Sequence, residues 1–399
     1  MAIDMKTRRT LIREKASQYR KATKKQRGRL LDELQSWVGS DRQALARALR
    51  EADSRHDWGG GRTGSGRTPI YGDEVIDPLK RIWAILSFPC GKRLAAQMGE
   101  MLTVLGRFGE LRVEATAHEK LLAMSASTID RRLAVERKRL ELTGRSRTKP
   151  GTLLRSQIPI RTFADWDDLR PGFTEMDLVS HEGGNARGEF CYTLTLTDVA
   201  TGWTECHAVR NRAERWTFEA LKGLRKRLPF PLLGLDSDNG SEFINHHLHR
   251  YCKQERITFT RARPYRKNDN CFVEQKNYTA VRQMVGYFRY DTPTERALLN
   301  RIYHLHRLYF NFFQPQMKLV EKIRIGSRVR RRYDKPKTPY QRVLESPTVE
   351  EAVKERLRNE YQTLNPAALR RQLNDLQDQL WKRSALKEER RKQDASGAL

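Results

Sequence analysis

No run of 18 or more apolar residues occurs in the chain, so the sequence offers no helix able to span a bilayer. Met1 to Arg9 has no apolar stretch of the kind a secretory signal needs, which leads us to expect a cytoplasmic protein. Cysteine is scarce: the five residues Cys90, Cys191, Cys206, Cys252 and Cys271 form no C-x-x-C pair. That spacing argues against a structural zinc site and against a disulfide framework, and points to free thiols. No internal repeat is present. Acidic residues are also in deficit, 49 Asp and Glu against 77 Lys and Arg, for a net charge of +28. Such an excess implies a polyanionic partner, with nucleic acid as the first choice.

The N-terminal third reads as helix. Leu30, Leu31, Leu34 and Trp37 fall at helical spacing, and Ser40 with Gln43 suggests a capping box for a further helix. Residues 1–56 are therefore expected to form a helical DNA-binding domain. The Gly-rich DWGGGRTGSG that follows marks a linker over 57–70. Helices resume over 71–142, where Val75, Leu79, Ile82, Trp83 and Leu86 make an apolar stripe. SASTIDRRLAVERKRL, residues 125–140, starts small and polar, then sets Ile129, Leu133 and Val135 against outward basic residues. This pattern resembles the recognition helix of a helix-turn-helix, with Ser127, Thr128, Arg131 and Arg132 as candidate DNA contacts. Residues 143–169 read as a basic linker.

Near residue 170 the periodicity changes from helix to strand. FTEMDLVSH and EFCYTLTLTDVATGWTECHAV predict three strands, and PLLGLDSDNG a short apolar strand ending in a turn. The order β-β-β-α-β-α-β-α-α over 170–316 implies an α/β domain with a mixed sheet flanked by helices. Residues 317–346 carry ten basic against three acidic residues from 318 onward, and include a candidate small hairpin. Charged helices fill 347–399, with Asn365-Pro366 as a helix start. Leu369, Leu373, Leu376 and Leu380 in this region fit either a coiled-coil seam or packing on the chain's own domain.

Three acids stand where strands and a helix should deliver them together. Asp177 lies in an apolar strand, where an unpaired charge is costly. Asp238 closes a strand, and Glu274 opens a helix after 35 intervening residues. Oxygen ligands of this kind suit Mg²⁺, and two such ions can serve both the attacking and the leaving oxygen of an in-line displacement. Upstream of Glu274, Arg263, Arg266, Lys267 and Asn268 suggest a loop touching DNA. His246, His247, His249 and Cys252 are close in sequence, but histidines at i, i+1 and i+3 cannot all converge from one helix.

MDLVSHEGG, TDVATGW, DSDNGSEF and VEQKN, in this order over about residues 170–315, resemble the catalytic core of DDE transposases and retroviral-type integrases, in particular bacterial insertion-sequence or transposon transposases. The resemblance implies a ribonuclease-H-like fold. It carries the family's D, D-35-E triad onto Asp177, Asp238 and Glu274, which would hold two Mg²⁺ ions per site, with Mn²⁺ as a substitute. Glu175, Glu182, Asp236, Glu242 and Asp269 are not triad positions in that pattern. The His-His-Cys-Cys module that precedes retroviral cores is absent, and helix-turn-helix segments take its place. Tyr278 stands where retroviral enzymes carry a DNA-contacting lysine, which leaves Lys276 and Arg282 as the expected contacts. The implied activity is metal-dependent cleavage and joining of double-stranded DNA at the ends of a mobile element, without a covalent protein–DNA intermediate. A homo-oligomer on DNA, a nucleoid-associated bacterial location and an accessory ATPase or regulator are further expectations. A catalytically silent DNA-binding regulator on the same fold is the alternative.

Overall fold

The computed structural model describes residues 5–38, 41–52, 70–138, 170–237, 246–261, 276–325 and 328–396. The chain divides into two compact units, residues 1–70 and 71–399.

The first unit is three helices, α1 (Met5–Lys21), α2 (Lys24–Val38) and α3 (Arg42–Glu51). Ala16, Tyr19, Leu30, Leu31, Leu34, Leu45 and Leu49 make its core. Trp37 is left 45% exposed in the last turn of α2, so the apolar stripe ends at Leu34. The cap of α3 is Asp41, whose Oδ1 accepts the amides of Gln43 (2.9 Å) and Ala44 (3.1 Å). That is one residue later than the expected Ser40. A carboxylate there both accepts the free amides and meets the positive end of the helix dipole. Ser40 and the Gly-rich linker lie outside the described residues, the linker all but for Ile70.

The second unit opens with α4 (Asp73–Ile85), α5 (Gly91–Arg107), α6 (Ala115–Ala123), α7 (Ala126–Arg132) and α8 (Ala134–Lys138). The stripe Val75, Leu79, Ile82, Trp83 and Leu86 is buried as the spacing predicts. Gly91 is required where it stands, because a Cβ there would meet the Ala126 carbonyl at 2.1 Å as α5 abuts α7. Its amide also donates to Asp130 Oδ1 at 2.7 Å. The expected single helix over 125–140 is broken at Leu133. Val135 therefore leaves the apolar face and is 65% exposed.

Five strands follow: β1 (Phe173–Ser180), β2 (Tyr192–Asp198), β3 (Thr204–Val209), β4 (Gly234–Ser237) and β5 (Thr258–Arg261). Their order is β3-β2-β1-β4-β5, with the first three antiparallel and β1-β4-β5 parallel. Helix α9 (Glu214–Arg225) links β3 to β4, and α10 (His246–Gln254) precedes β5. In β2 the alternation of Thr and Leu does not mean one wet face. Thr193, Thr195 and Thr197 are as buried as Leu194 and Leu196. The Thr193 hydroxyl lies 2.7 Å from His181 Nε2 and 2.8 Å from the Tyr303 hydroxyl, and burial holds His181 neutral, its pKa lowered to about 3.

A π-helical turn, Asn277–Arg282, runs into an α-helical turn, Gln283–Val285, and together they form α11. Next come α12 (Pro293–Phe313), the hairpin β6 (Leu319–Ile325) and β7 (Arg328–Tyr333), α13 (Pro339–Glu345), α14 (Glu351–Thr363) and α15 (Pro366–Ser396). Helix α12 covers the outer edge of β3. Asn311 bonds the Thr204 amide and carbonyl at 2.9 Å each, and Asn300 bonds those of Ala208 at 2.8 and 3.0 Å. An edge closed in this way offers no template for another strand. Asn365 caps α15 as expected, through the amides of Ala367 and Ala368. Leu369, Leu373, Leu376 and Leu380 are buried within the chain's own core, where α15 packs on α12. This selects self-packing over the coiled-coil seam.

Helices α4 to α7 share one continuous apolar cluster with the sheet and the C-terminal helices. Gln314 donates to the Leu86 carbonyl (2.9 Å), Gln97 bonds Gln341 (3.1 Å), and Arg371 pairs with Glu110 (2.7 Å). Among the described residues no helix is long and apolar enough to cross a membrane.

The turn from β2 to β3 is organised by Asp198, which is fully buried. It accepts the Gly172 amide (2.7 Å), the Thr201 amide (2.7 Å) and the Thr201 hydroxyl (2.6 Å). Gly202 completes the turn at φ +75, a conformation that L side chains rarely adopt. Burial raises the Asp198 pKa to about 6, against the lowering pull of these bonds and of Lys318. The folded state thus binds this proton more tightly than the unfolded chain, where an aspartate titrates near about 4. Stability from this group is fully present below about pH 4 and is lost as pH rises through about 6, by on the order of 2–3 kcal/mol. Comparing the pH dependence of melting between the native protein and Asp198→Asn should show this decline only in the native protein. Parallel profiles would refute it.

Candidate active site

Asp177 sits on the central strand β1, half-buried and paired across to Thr195. Its Oδ1 accepts the Leu178 amide at 2.8 Å, and its Oδ2 accepts the Asn277 side-chain amide at 2.6 Å. Each carboxylate oxygen has two acceptor directions. These two bonds therefore fix the orientation of the group and are compatible with a cation on the same oxygens.

Asp238 and Glu274 lie outside the described residues; Ser237, which precedes Asp238, and Asn277, three residues after Glu274, stand beside Asp177. In the parallel β1–β4 register, Met176 pairs with Ser237. Met176 is bonded directly to Asp177, and Ser237 directly to Asp238. Consecutive Cα atoms are only about 3.8 Å apart. On the other side, Asn277, three residues after Glu274, touches Asp177 itself. Ser237 and Asn277 are thus both brought to Asp177. Asp236, the nearest competitor of Asp238, is spent inside the sheet: it is 1% exposed, pairs with Glu175 in the register and accepts the Thr260 hydroxyl.

Asn277 escaped the reading of candidate sites, although it closes the quoted VEQKN motif. It stands at the start of the π-helical turn, a departure from α geometry that often marks functional positions. Further along this turn, Arg282 does not fit its expected role as a DNA contact. It is 9% exposed, donates to the Ser180 carbonyl at 2.6 Å and lies over the Tyr287 ring. Its charge anchors α11 to the end of β1. Lys276 is half-buried, touches Gln316 Oε1 and lies 5.0 Å from the Phe310 ring centroid. Burial, reinforced by Arg93, Arg342 and Lys318, lowers its pKa to about 7.

Of the expected helix-turn-helix contacts, Ser127, Arg131 and Arg132 are exposed on α7, and Thr128 is half-buried. Arg131 donates to the Thr128 hydroxyl at 3.3 Å. Ile129 and Leu133 are buried beneath them. Arg263, Arg266, Lys267 and Asn268 lie outside the described residues. On α10, Cys252 is buried and its thiol is pushed up to about 12, which leaves it protonated. Among the described residues no group of three or more His, Cys, Asp and Glu side chains is placed to hold a metal ion. Cys90, Cys191, Cys206 and Cys252 are free thiols, and Cys271 is outside the described residues.

A family model of the integrase core domain matches residues 169–267, which spans β1 to β5. The uncharacterized protein y4rM of Sinorhizobium fredii (strain NBRC 101917 / NGR234) is 40% identical over 340 residues, covering 85% of this chain and 96% of that protein. Among solved structures, the catalytic core domain of HTLV-2 integrase in complex with magnesium is 14% identical and covers 37% of this chain and 90% of its own, at a TM-score of 0.28. The BIV integrase core domain is 19% identical and covers 48% and 98%, also at 0.28. The chain belongs to one family with the Sinorhizobium protein, and its residues 169–267 match the integrase core domain.

Proposed function

We propose that this protein is a DNA transposase that binds the ends of its mobile element and cuts and joins DNA with Asp177, Asp238 and Glu274. The observation that carries the reading is the convergence at Asp177: the Met176–Ser237 pair beside it, and the Asn277 amide on its Oδ2. These three carboxylates would hold two Mg²⁺ ions, since hard oxygen ligands suit that ion. When bound, such ions activate the attacking oxygen and offset charge on the leaving oxygen.

The remaining work belongs to the chain's own residues. Asn277 holds the Asp177 carboxylate in one orientation. Arg282 fixes α11 to the end of β1 through the Ser180 carbonyl. Ser127, Thr128, Arg131 and Arg132 on α7 would read end DNA, helped by the N-terminal three-helix unit. Arg263, Arg266, Lys267 and Asn268 would track the strand near the cut. The charge of +28 supplies the non-specific part of that binding. Joining two ends needs at least two copies of the core, so a homo-oligomer on DNA belongs to the proposal.

The test is end cleavage. Purified protein is incubated with labelled DNA spanning the flanks of its gene, with Mg²⁺ or Mn²⁺. Nicks at one fixed flank position, abolished by EDTA, by Asp238→Asn and by Glu274→Gln, are expected. Tight binding to the flanks with no nick under any metal would favour the silent regulator instead.

A further inference from the structure

Four cations, Lys276, Arg342, Lys318 and Arg93, lie near one another where α5, the start of α11 and the C-terminal segment meet. The Lys276 ammonium touches Gln316 Oε1. Arg342 donates from Nη2 to the Gln316 carbonyl at 3.1 Å. Lys318, two residues further, spends its ammonium on the Val199 and Ala200 carbonyls, at 2.6 and 2.5 Å. Arg93 lies one turn before Gln97 on the same face of α5. Gln97 in turn bonds Gln341, the neighbour of Arg342.

The compensation is uneven. Asp334 pairs with Arg342 at 2.7 Å, and it and Asp198 lie near Lys318. Lys276 has Arg93, Arg342 and Lys318 as its charged surroundings, and among the described residues no carboxylate pairs with it or with Arg93. Three buried donors at this junction, Arg93 Nε, Arg342 Nε and Gln316 Nε2, have no hydrogen-bond partner among the described residues. Like charges brought together out of water, beside donors with nothing to donate to, are costly unless an anion joins them. An oxyanion with several acceptor oxygens meets both demands, and guanidinium groups suit its geometry.

We infer that this junction is a phosphate site, with Arg93 and Lys276 supplying charge and Arg342 Nε and Gln316 Nε2 supplying donors. Phosphate reaches it either as the free ion or as one backbone phosphate of bound DNA, and the second source rests on the function proposed above. An occupied site joins α5, in the helical DNA-binding region, to the residue two positions after Glu274.

The test uses the full-length protein, with Lys276→Met and Arg93→Gln as separate variants. Melting is followed in inorganic phosphate against chloride at equal ionic strength, and duplex DNA affinity against salt concentration. Phosphate is expected to raise the melting temperature of the native protein by about 3 °C and that of neither variant. The salt slope of the DNA affinity is expected to fall by about 1 in each variant. A phosphate effect without a change in slope assigns the free ion, and a change in slope alone assigns the DNA backbone. Equal phosphate effects in all three proteins, or neither effect in any, would overturn the site. The phosphate arm stands whether or not the protein cleaves DNA, so its failure is distinguishable from failure of the transposase reading.

Discussion

Asp177→Asn is expected to lower metal-dependent nicking by about a thousandfold or more, which corresponds to about 4 kcal/mol of transition-state stabilisation. Binding to end DNA in EDTA should change by less than about twofold. The substitution removes the charge and one of the two carboxylate oxygens, and with them the hold on a hard cation. It leaves shape and packing intact. The substituted amide would still accept the Leu178 amide through its one oxygen. Asn277 Oδ1 is buried with no partner among the described residues, so turning the Asn277 side chain over restores the second bond, now with Asn277 accepting. The melting temperature should therefore stay within a few degrees of native. Unfolding would mean that Asp177 is chiefly structural. Retained nicking would mean that the active site lies elsewhere.

Arg307→Met is expected to cost about 3–5 kcal/mol of stability near neutral pH. Glu205 is fully buried on β3, and Arg307 Nε donates to its two oxygens at 2.9 and 3.1 Å, while Trp203 Nε1 donates at 3.0 Å. Burial already raises the Glu205 pKa even with Arg307 in place. Without Arg307 the folded-state pKa rises further above the unfolded value. The variant's stability then falls as pH rises through that folded pKa, and its deficit shrinks in acid. Adding Glu205→Gln should recover most of the loss, because the amide oxygen still accepts from Trp203 and no charge remains buried. Urea unfolding of the native, single and double variants at about pH 5 and pH 8 checks both the size and the sign. A loss under about 1 kcal/mol at both pH values would refute the account.

The fold was legible where periodicity and burial coincide. Val75 to Leu86 fell on one helix face, and the strands around Asp177 appeared in the expected order. The likeness to an integrase core was legible because several motifs stand in order within residues 169–267, which no single acid would have revealed. What stayed hidden depends on partners distant in sequence. Leu373 and Leu380 read equally as a coiled-coil seam until α12 supplied the surface they cover. Arg282 looked like a DNA contact because sequence gives a charge but not its direction, and only the fold turns it toward the Ser180 carbonyl. The burial of the β2 threonines depends on distant partners, since His181 and Tyr303 close over Thr193. Asn277 was missed because an amide beside a carboxylate leaves no mark in composition or spacing.

The claim that this chain joins DNA, and does not only cut it, rests on one most direct measurement. End DNA already cut to expose its 3′-hydroxyl is supplied with a target duplex, Mg²⁺ and the full-length protein. The account predicts covalent end–target joints that form with no protein attached and disappear with Glu274→Gln and with EDTA. Tight end binding with hydrolysis alone, or with no product in Mg²⁺ or Mn²⁺, would contradict it.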